Sequence, residues 1–412
     1  MAITINQTPE IITPVLNEVT WLVTSTNTAQ ANFKYVLDLY VTGQTGFIRK
    51  ARSADLTTGK AYFDVSNELK GYLTSTSDDL NKTDYGFTRL SNSFVEYKAY
   101  MGEQYGASSA VTVYSGLTID SFRYVTPMGK SFTKFKDFTT NEYLLSSSSI
   151  EFLSNQPSSL KVRSDEYRWL YAWMSTTDTS KRAYFARVIT YNSANAIIQT
   201  ADCLNVYSGI SVPANDKFFK FSSGGANLNL IVGGQLLTGA QPIITATVAK
   251  YTVQMFNGSG TAISELQTYV IDDDCSRYSL YTFIFMNELG GFDTYSFIKA
   301  DKREVSINRG KMKQIVGKIT GSTYTYAKKD RQDTIFNTTL KDRITVNSDW
   351  VTDDISVWLE QLISSPMVYV DDATHGLVAV SILAETYQIK QNNVDKLFNI
   401  SFQFEYAYSR TR

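Results

Sequence analysis

The sequence predicts a mainly β protein of two or more β-sandwich-like domains, with one short amphipathic helix near the C-terminus, at about residues 352–364. Three observations carry this. Strand-length runs rich in Tyr, Phe, Val, Ile and Thr recur along the chain, many alternating apolar and polar residues with period 2. Gly-, Asn- and Ser-rich turns separate them. A long, well-punctuated helical period occurs in "SDWVTDDISVWLEQLISSP", residues 348–366.

The first elements read as an N-terminal sandwich over residues 1–143. In "NFKYVLDLYV", Phe33, Tyr35, Leu37, Leu39 and Val41 share one face of a strand; "TGQTG" turns the chain and "FIRKA" returns it. "YFDVSNELKGYL" is a strand running into a short helix, with Ser66 as N-cap and Leu69, Tyr72 and Leu73 facing inward. "FVEYKAYMGEQYG" alternates again, setting Val95, Tyr97, Ala99 and Met101 on one face, and "SAVTVYSG" and "SFRYVTP" complete the set. Composition shifts at residues 144–159, "LLSSSSIEFLSNQPSS", which predicts a boundary segment.

Residues 160–300 predict a second sandwich. Its strand-like runs are "EYRWLYAWMS", "RAYFARVITY", "CLNVYSGISV", "KFFKFSS", "NLNLIVGG", "IITATVAKYTVQMF", "TYVI" and "YSLYTFIFMNE". The intervening "GG" and "NGSG" supply the positive φ that tight turns need. Residues 301–412 predict a β-rich oligomerisation domain: long strands, then the helix, then closing strands. In the helix Thr352 is the expected N-cap, and Asp353 and Asp354 sit at the positive end of its dipole. Ile355, Trp358, Leu359, Leu362 and Ile363 form one apolar stripe, and Pro366 ends it.

A length of 412 residues suits two or three domains. Charged residues at 19% and aromatics at 13% favour a folded chain with much buried surface, some of it against partners. A net charge of −1 gives no global reason to bind nucleic acid or membrane. The N-terminus has neither the basic start nor the apolar run of a secretory signal, and no stretch approaches the ~20 apolar residues of a membrane span. The expectation is a soluble chain made in a cytoplasm. Cys203 and Cys275 read as reduced core residues, with a disulfide between them left open.

Little chemistry is on offer. The single histidine, His375 in "DDATHGL", has the surroundings of a solvated turn, and one imidazole supports neither a nucleophile–histidine pair nor a zinc site. Glycoside hydrolysis needs two carboxylates in one cleft, about 5–9.5 Å apart. Of the acidic clusters, Asp353–Asp354 is explained by the helix start and Asp371–Asp372 by a turn. Asp272–Asp274 lacks the alternating spacing and following Gly of a calcium loop. The pairs Gly224–Gly225, Gly233–Gly234 and Gly290–Gly291 lie between strand-like runs without helix starts, so no phosphate cradle is expected. Period-2 aromatics read as core more readily than as a carbohydrate platform. No catalytic, cofactor-binding or metal-ligating residue is assigned, and the chain reads as a non-enzyme.

Several stretches taken in order, "NFKYVLDLYVTG", "AYFDVSNELKGYL", "YKAYMGEQYG", "FIFMNELGGFDTYSF" and the tail from "SDWVTDDISVWLEQLISSPMVYV" to "DKLFNISFQFEYAYSR", resemble virion structural proteins of tailed bacteriophages of Bacteroides and related hosts, including crAss-like phages. The resemblance touches most of the chain in scattered pieces. It implies a tail, baseplate or ring component built from β domains, made in the host cytoplasm and located in the virion. Its partners would be copies of itself in a ring and other tail proteins. The alternative is a receptor- or carbohydrate-binding sandwich on the same particle.

A charge block bears on assembly. Residues 299–343 hold twelve Lys and Arg against five Asp and Glu, a net charge of +7; residues 344–385 hold seven acids and no Lys or Arg. Three readings stay open: two unrelated solvated faces, a basic stretch facing DNA in a tail channel, or a basic face of one subunit meeting the acidic face of the next.

Overall fold

The computed structural model describes residues 3–73, 80–90, 94–107, 112–118, 123–126, 140–208, 217–273, 278–299, 301–372, 376–383 and 398–411. Strand accounts for 49% and helix for 9%, so the protein is mainly β, as its periodicity predicts. Two compact units divide the chain. Unit 1 comprises Met1–Asp273 with Met286–Asp293, and unit 2 comprises Asp274–Phe285 with Thr294–Arg412.

Unit 1 begins with strands β1 (Ile3–Gln7), β2 (Ile12–Pro14), β3 (Thr20–Ser25), β4 (Lys34–Val41), β5 (Ile48–Arg52) and β6 (Ala61–Asp64), helix α1 (Ser66–Lys70), then β7 (Phe87–Arg89), β8 (Val95–Tyr105), β9 (Thr112–Thr118), β10 (Arg123–Thr126) and helix α2 (Thr140–Tyr143). A three-stranded sheet, β1-β3-β6, and a six-stranded sheet built on β2-β10-β8-β4-β5 share one core. Trp21, Val23 and Phe63 come from the first sheet, and Tyr35, Leu37, Leu39, Tyr97 and Met101 from the second. That is the alternation read in "NFKYVLDLYV", now with its inward face covered. Ser66 is the first helical residue rather than the cap; Val65 holds the cap position, and the Asp64 carboxylate accepts from Ser66 N at 3.0 Å. A charged acceptor two residues upstream takes this N–H in place of a serine cap. Leu69 is buried, and Tyr72 and Leu73 pack against the same core.

The unit continues with β11 (Ser159–Val162), β12 (Trp169–Trp173), β13 (Phe185–Tyr191), β14 (Ile197–Leu204), β15 (Phe218–Ser222), helix α3 (Gly225–Leu228), β16 (Leu236–Thr238), β17 (Lys250–Phe256) and β18 (Gln267–Ile271). Six of these form the sheet β11-β18-β17-β13-β14-β16, and the others form β12-β15-β7. Every residue of "WLYAW" and "FFKFS" is buried, which is why these two strands do not alternate. Lys220, inside the second, is neutralised by Asp84 at 2.8 Å. Strand β7 joins residues on either side of the expected 144–159 boundary, where Leu145, Phe152 and Leu153 are buried.

Three runs read as strands are otherwise. "NLNLIVGG" is the end of α3 followed by a 3-10 turn, and Gly224 is the cap of that helix. Residues 243–249 of "IITATVAKYTVQMF" are irregular, and the strand begins at Lys250. Of "CLNVYSGISV" only Cys203 and Leu204 are strand, ending β14; residues 205–208 turn, and 209–212 lie outside the described residues. Backbone contact decides the first case: Gly224 and Gly225 lie against the main chain of residues 164–168, closer than any side chain would allow.

The remaining elements are β19 (Tyr281–Met286), β20 (Phe292–Phe297), β21 (Lys302–Lys313), β22 (Lys318–Thr320), β23 (Thr323–Thr325), β24 (Asp333–Val351), helix α4 (Asp353–Ser364), β25 (Val368–Asp372), β26 (Gly376–Ile382), β27 (Phe398–Tyr406) and β28 (Arg410–Thr411). They make an eight-stranded sheet, β20-β19-β25-β26-β27-β24-β21 with β28 beside β24, and a small β22-β23 hairpin. Helix α4 starts after Thr352, as its sequence predicts, and its Trp358 ring lies 5.7 Å from Phe285 and 6.0 Å from Tyr295 within unit 2. Trp358, Leu359 and Leu362 are buried, while Ile355 and Ile363 are half-buried and Ser356 and Gln361 take the remaining inward places.

Candidate functional site

The candidate site is a ribbon. Strands β21 and β24 pair from Lys302–Thr345 to Lys313–Asp333, and no residue from 301 to 343 is buried. Twelve residues of β21 span about 40 Å at ~3.3 Å per residue. Only the base of β24 enters the sheet core, through Ile344, Val346 and Val351. Among the described residues, 333–338 pair with β21 alone and β21 is an edge strand. Phe336 is the extra residue of a bulge between Gly310–Asn337 and Lys311–Ile335, and its ring covers Gly310.

This arm is apolar as well as basic. Ile315, Ile319, Tyr326 and Phe336 are 88%, 77%, 73% and 66% exposed, far above the usual exposure of such side chains. By register Val305, Ile307, Leu340 and Ile335 share one face with Arg309, Lys311 and Lys313. A two-stranded ribbon with both faces bare is marginal in water, so bare apolar side chains along it mark a contact surface.

The charge block resolves into two parts. At the base of the arm its cations are neutralised inside unit 2: Lys299 by Asp349, Lys302 by Glu304, Arg303 by Asp301, and Lys341 and Arg343 by Glu405. The Lys341 hydrogen bond, backed by Arg343, holds the Glu405 carboxyl below its ordinary value. Farther out Arg309, Lys311, Lys313, Lys318, Lys328, Lys329 and Arg331 have no carboxylate partner among the described residues.

Opposite in sign is the outer face of α4. Asp353, Val357 and Glu360 follow at i, i+4 and i+7, with Asp354 beside them, and all four are exposed. Val357 and the neighbouring Trp350 are 50% and 66% exposed. The two Trp residues near the helix therefore divide their work: Trp358 closes the core and Trp350 faces solvent.

No family model matches this chain, and no curated relative matches it. The other sequence candidates are tied into structure. Asp272 pairs with Lys161 at 3.1 Å, and Asp273 accepts from Ser164 N at 2.8 Å. Asp371 and Asp372 end strand β25 rather than forming a turn, and Asp372 accepts from the Tyr406 hydroxyl at 3.1 Å. Asp274, Cys275 and His375 lie outside the described residues. Cys203 is a free buried thiol, pushed up to about 12 by burial and then by Asp202. Among the described residues no cluster of three or more His, Cys, Asp or Glu is placed to hold a metal ion. No helix among them is long and apolar enough to cross a membrane. The arm itself was hidden in the sequence: "VSINRGKMKQIV" alternates like any strand, and only its lack of a consistently apolar face hinted that nothing covers it.

Proposed function

We propose that the chain is a non-enzymatic structural subunit that assembles with copies of itself, the outer arm of one copy lying on the acidic helix face of the next. The observation that carries this reading is the arm, a ribbon exposed on both faces with bare isoleucines and aromatics and seven cations without a carboxylate partner among the described residues. Two such arms repel each other, because like charges brought opposite one another are destabilising. The exposed Asp353, Asp354 and Glu360, flanked by Trp350 and Val357, offer the opposite charge and matching apolar area. Arm and helix face are different surfaces, so the contact is head-to-tail and closes into a ring when its rotation permits. The resemblance of the quoted segments to phage virion proteins supports placing that ring in a tail, as a baseplate, tail-end or ring component.

The test is light scattering of the purified chain across salt concentrations, alongside a Lys328→Glu, Lys329→Glu, Arg331→Glu variant. The expected result is a defined oligomer at low salt that weakens as screening shortens to about 8–10 Å, and a variant that stays monomeric. A monomer at every salt concentration overturns the reading. If the arm instead serves a polyanion, duplex DNA binds the monomer with a steep salt dependence and the variant abolishes it.

A further inference from the structure

Among the described residues Lys220 is the only buried lysine, and its burial is complete. It lies in the middle of β15, opposite Tyr171 of β12 on one side and Thr88 of β7 on the other. Its Nζ sits 5.3 Å from the centre of the Trp169 ring and 2.8 Å from Asp84 Oδ2, whose side chain keeps 21% exposure. Asp84 is held in place, because Ser222 Oγ and Asn227 Nδ2 both donate to its carbonyl oxygen at 3.0 Å. Just beyond it Ser222 N donates to Gly86 O at 2.9 Å, and the Phe87 ring packs on Phe219 and Phe221.

A buried ammonium–carboxylate pair is costly to keep in a low-dielectric interior, and passing one proton from Nζ to Oδ2 removes both charges. That leaves a neutral amine against a carboxylic acid, and the hydrogen bond between them sets Nζ one atom away from Cγ. Fixed contact of this kind replaces a chance encounter, with effective molarities that reach about 10⁵ M and above. Trp169 and Tyr171, both buried on the face of β12 that meets Lys220, shut water out from the amine side. The other buried cations among the described residues are arginines, so Lys220 alone offers a nucleophile.

We propose that Lys220 and Asp84 condense to an isopeptide bond. The Nζ lone pair attacks Cγ, a C–N bond forms and the C–Oδ2 bond breaks. Oδ2 departs as water with its own proton and one from Nζ, leaving a neutral secondary amide, so no oxidant or further reactant is needed. The exposed side of Asp84 gives that water its exit. The bond ties the β7 segment to β15, and a cross-link between residues so far apart in sequence restricts the unfolded chain. It forms within one copy and is independent of the arm.

Mass spectrometry of a tryptic digest of the purified full chain tests it. The expected product is a branched peptide in which residues 83–89 are joined through Asp84 to residues 218–250, at the sum of the two masses less one water. The second piece stays uncut after Lys220, because trypsin does not cleave after an acylated lysine. Asp84→Ala should abolish the branched peptide and restore cleavage after Lys220. If that variant fails to fold, the digest of the unsubstituted chain still decides, since it needs no substitution. Separate peptides at their full masses, with cleavage after Lys220, overturn the proposal, and so does a branch from Lys220 to any residue other than Asp84.

Discussion

Gly225 has no room for a side chain: a β carbon there would lie 2.2 Å from the Ser164 carbonyl oxygen, and one on Gly224 would lie 2.4 Å from that of Glu166. Main chain cannot yield as a flexible side chain does. Gly225→Ala should therefore destabilise unit 1 by about 1–3 kcal/mol or more, read as a lowered urea midpoint. A second residue-scale effect is set by acid. Glu405 is held below its ordinary value by Lys341 and Arg343, so its contribution is present above the unfolded value of about 4.3 and is lost as pH falls through the lower folded value. Thermal melts from neutral pH downward should show unit 2 of the native chain weakening below about pH 4. Glu405→Gln should start less stable at neutral pH and lose less on acidification.

At the scale of the element, helix α4 and the arm differ in what covers them. The apolar stripe of α4 is buried in its own unit, with Trp358 against Phe285 and Tyr295. Trp358→Ala should cost about 3–5 kcal/mol, visible as a lowered melting temperature in the monomer as well as in any assembly. The arm makes no such contribution to its own unit. Ile315→Ser with Ile319→Ser should leave the melting temperature of the monomer within a degree or two, since exposed substitutions change stability by about 0.5 kcal/mol or less. The same pair should reduce oligomer formation, measured by light scattering. A large loss of monomer stability would mean that the arm folds back on its own chain.

For the whole molecule the charge pattern predicts a rescue. Reversing Lys328, Lys329 and Arg331 to Glu should block assembly, and adding Asp353→Lys and Asp354→Lys should partly restore it, because the attraction is re-formed with its signs exchanged. Analytical ultracentrifugation of the triple and quintuple variants decides it. If the quintuple variant assembles no better than the triple, these charges do not meet, and apolar contacts alone hold the copies together.

The sequence by itself determined the class of the fold and its local elements. Period-2 runs such as Phe33–Val41 record which side chains alternate across a strand, and Thr352, Asp353, the Trp358 stripe and Pro366 record a helix with its ends. Those are short-range consequences of backbone geometry, written within a few residues. The tertiary structure alone decided which strands meet, as when β7 pairs with β15, and turned "NLNLIVGG" into a helix end because two backbones touch there. Structure alone also left the arm bare. The physical reason is that periodicity states which residues share a face. Whether anything covers that face depends on chain segments far away in sequence.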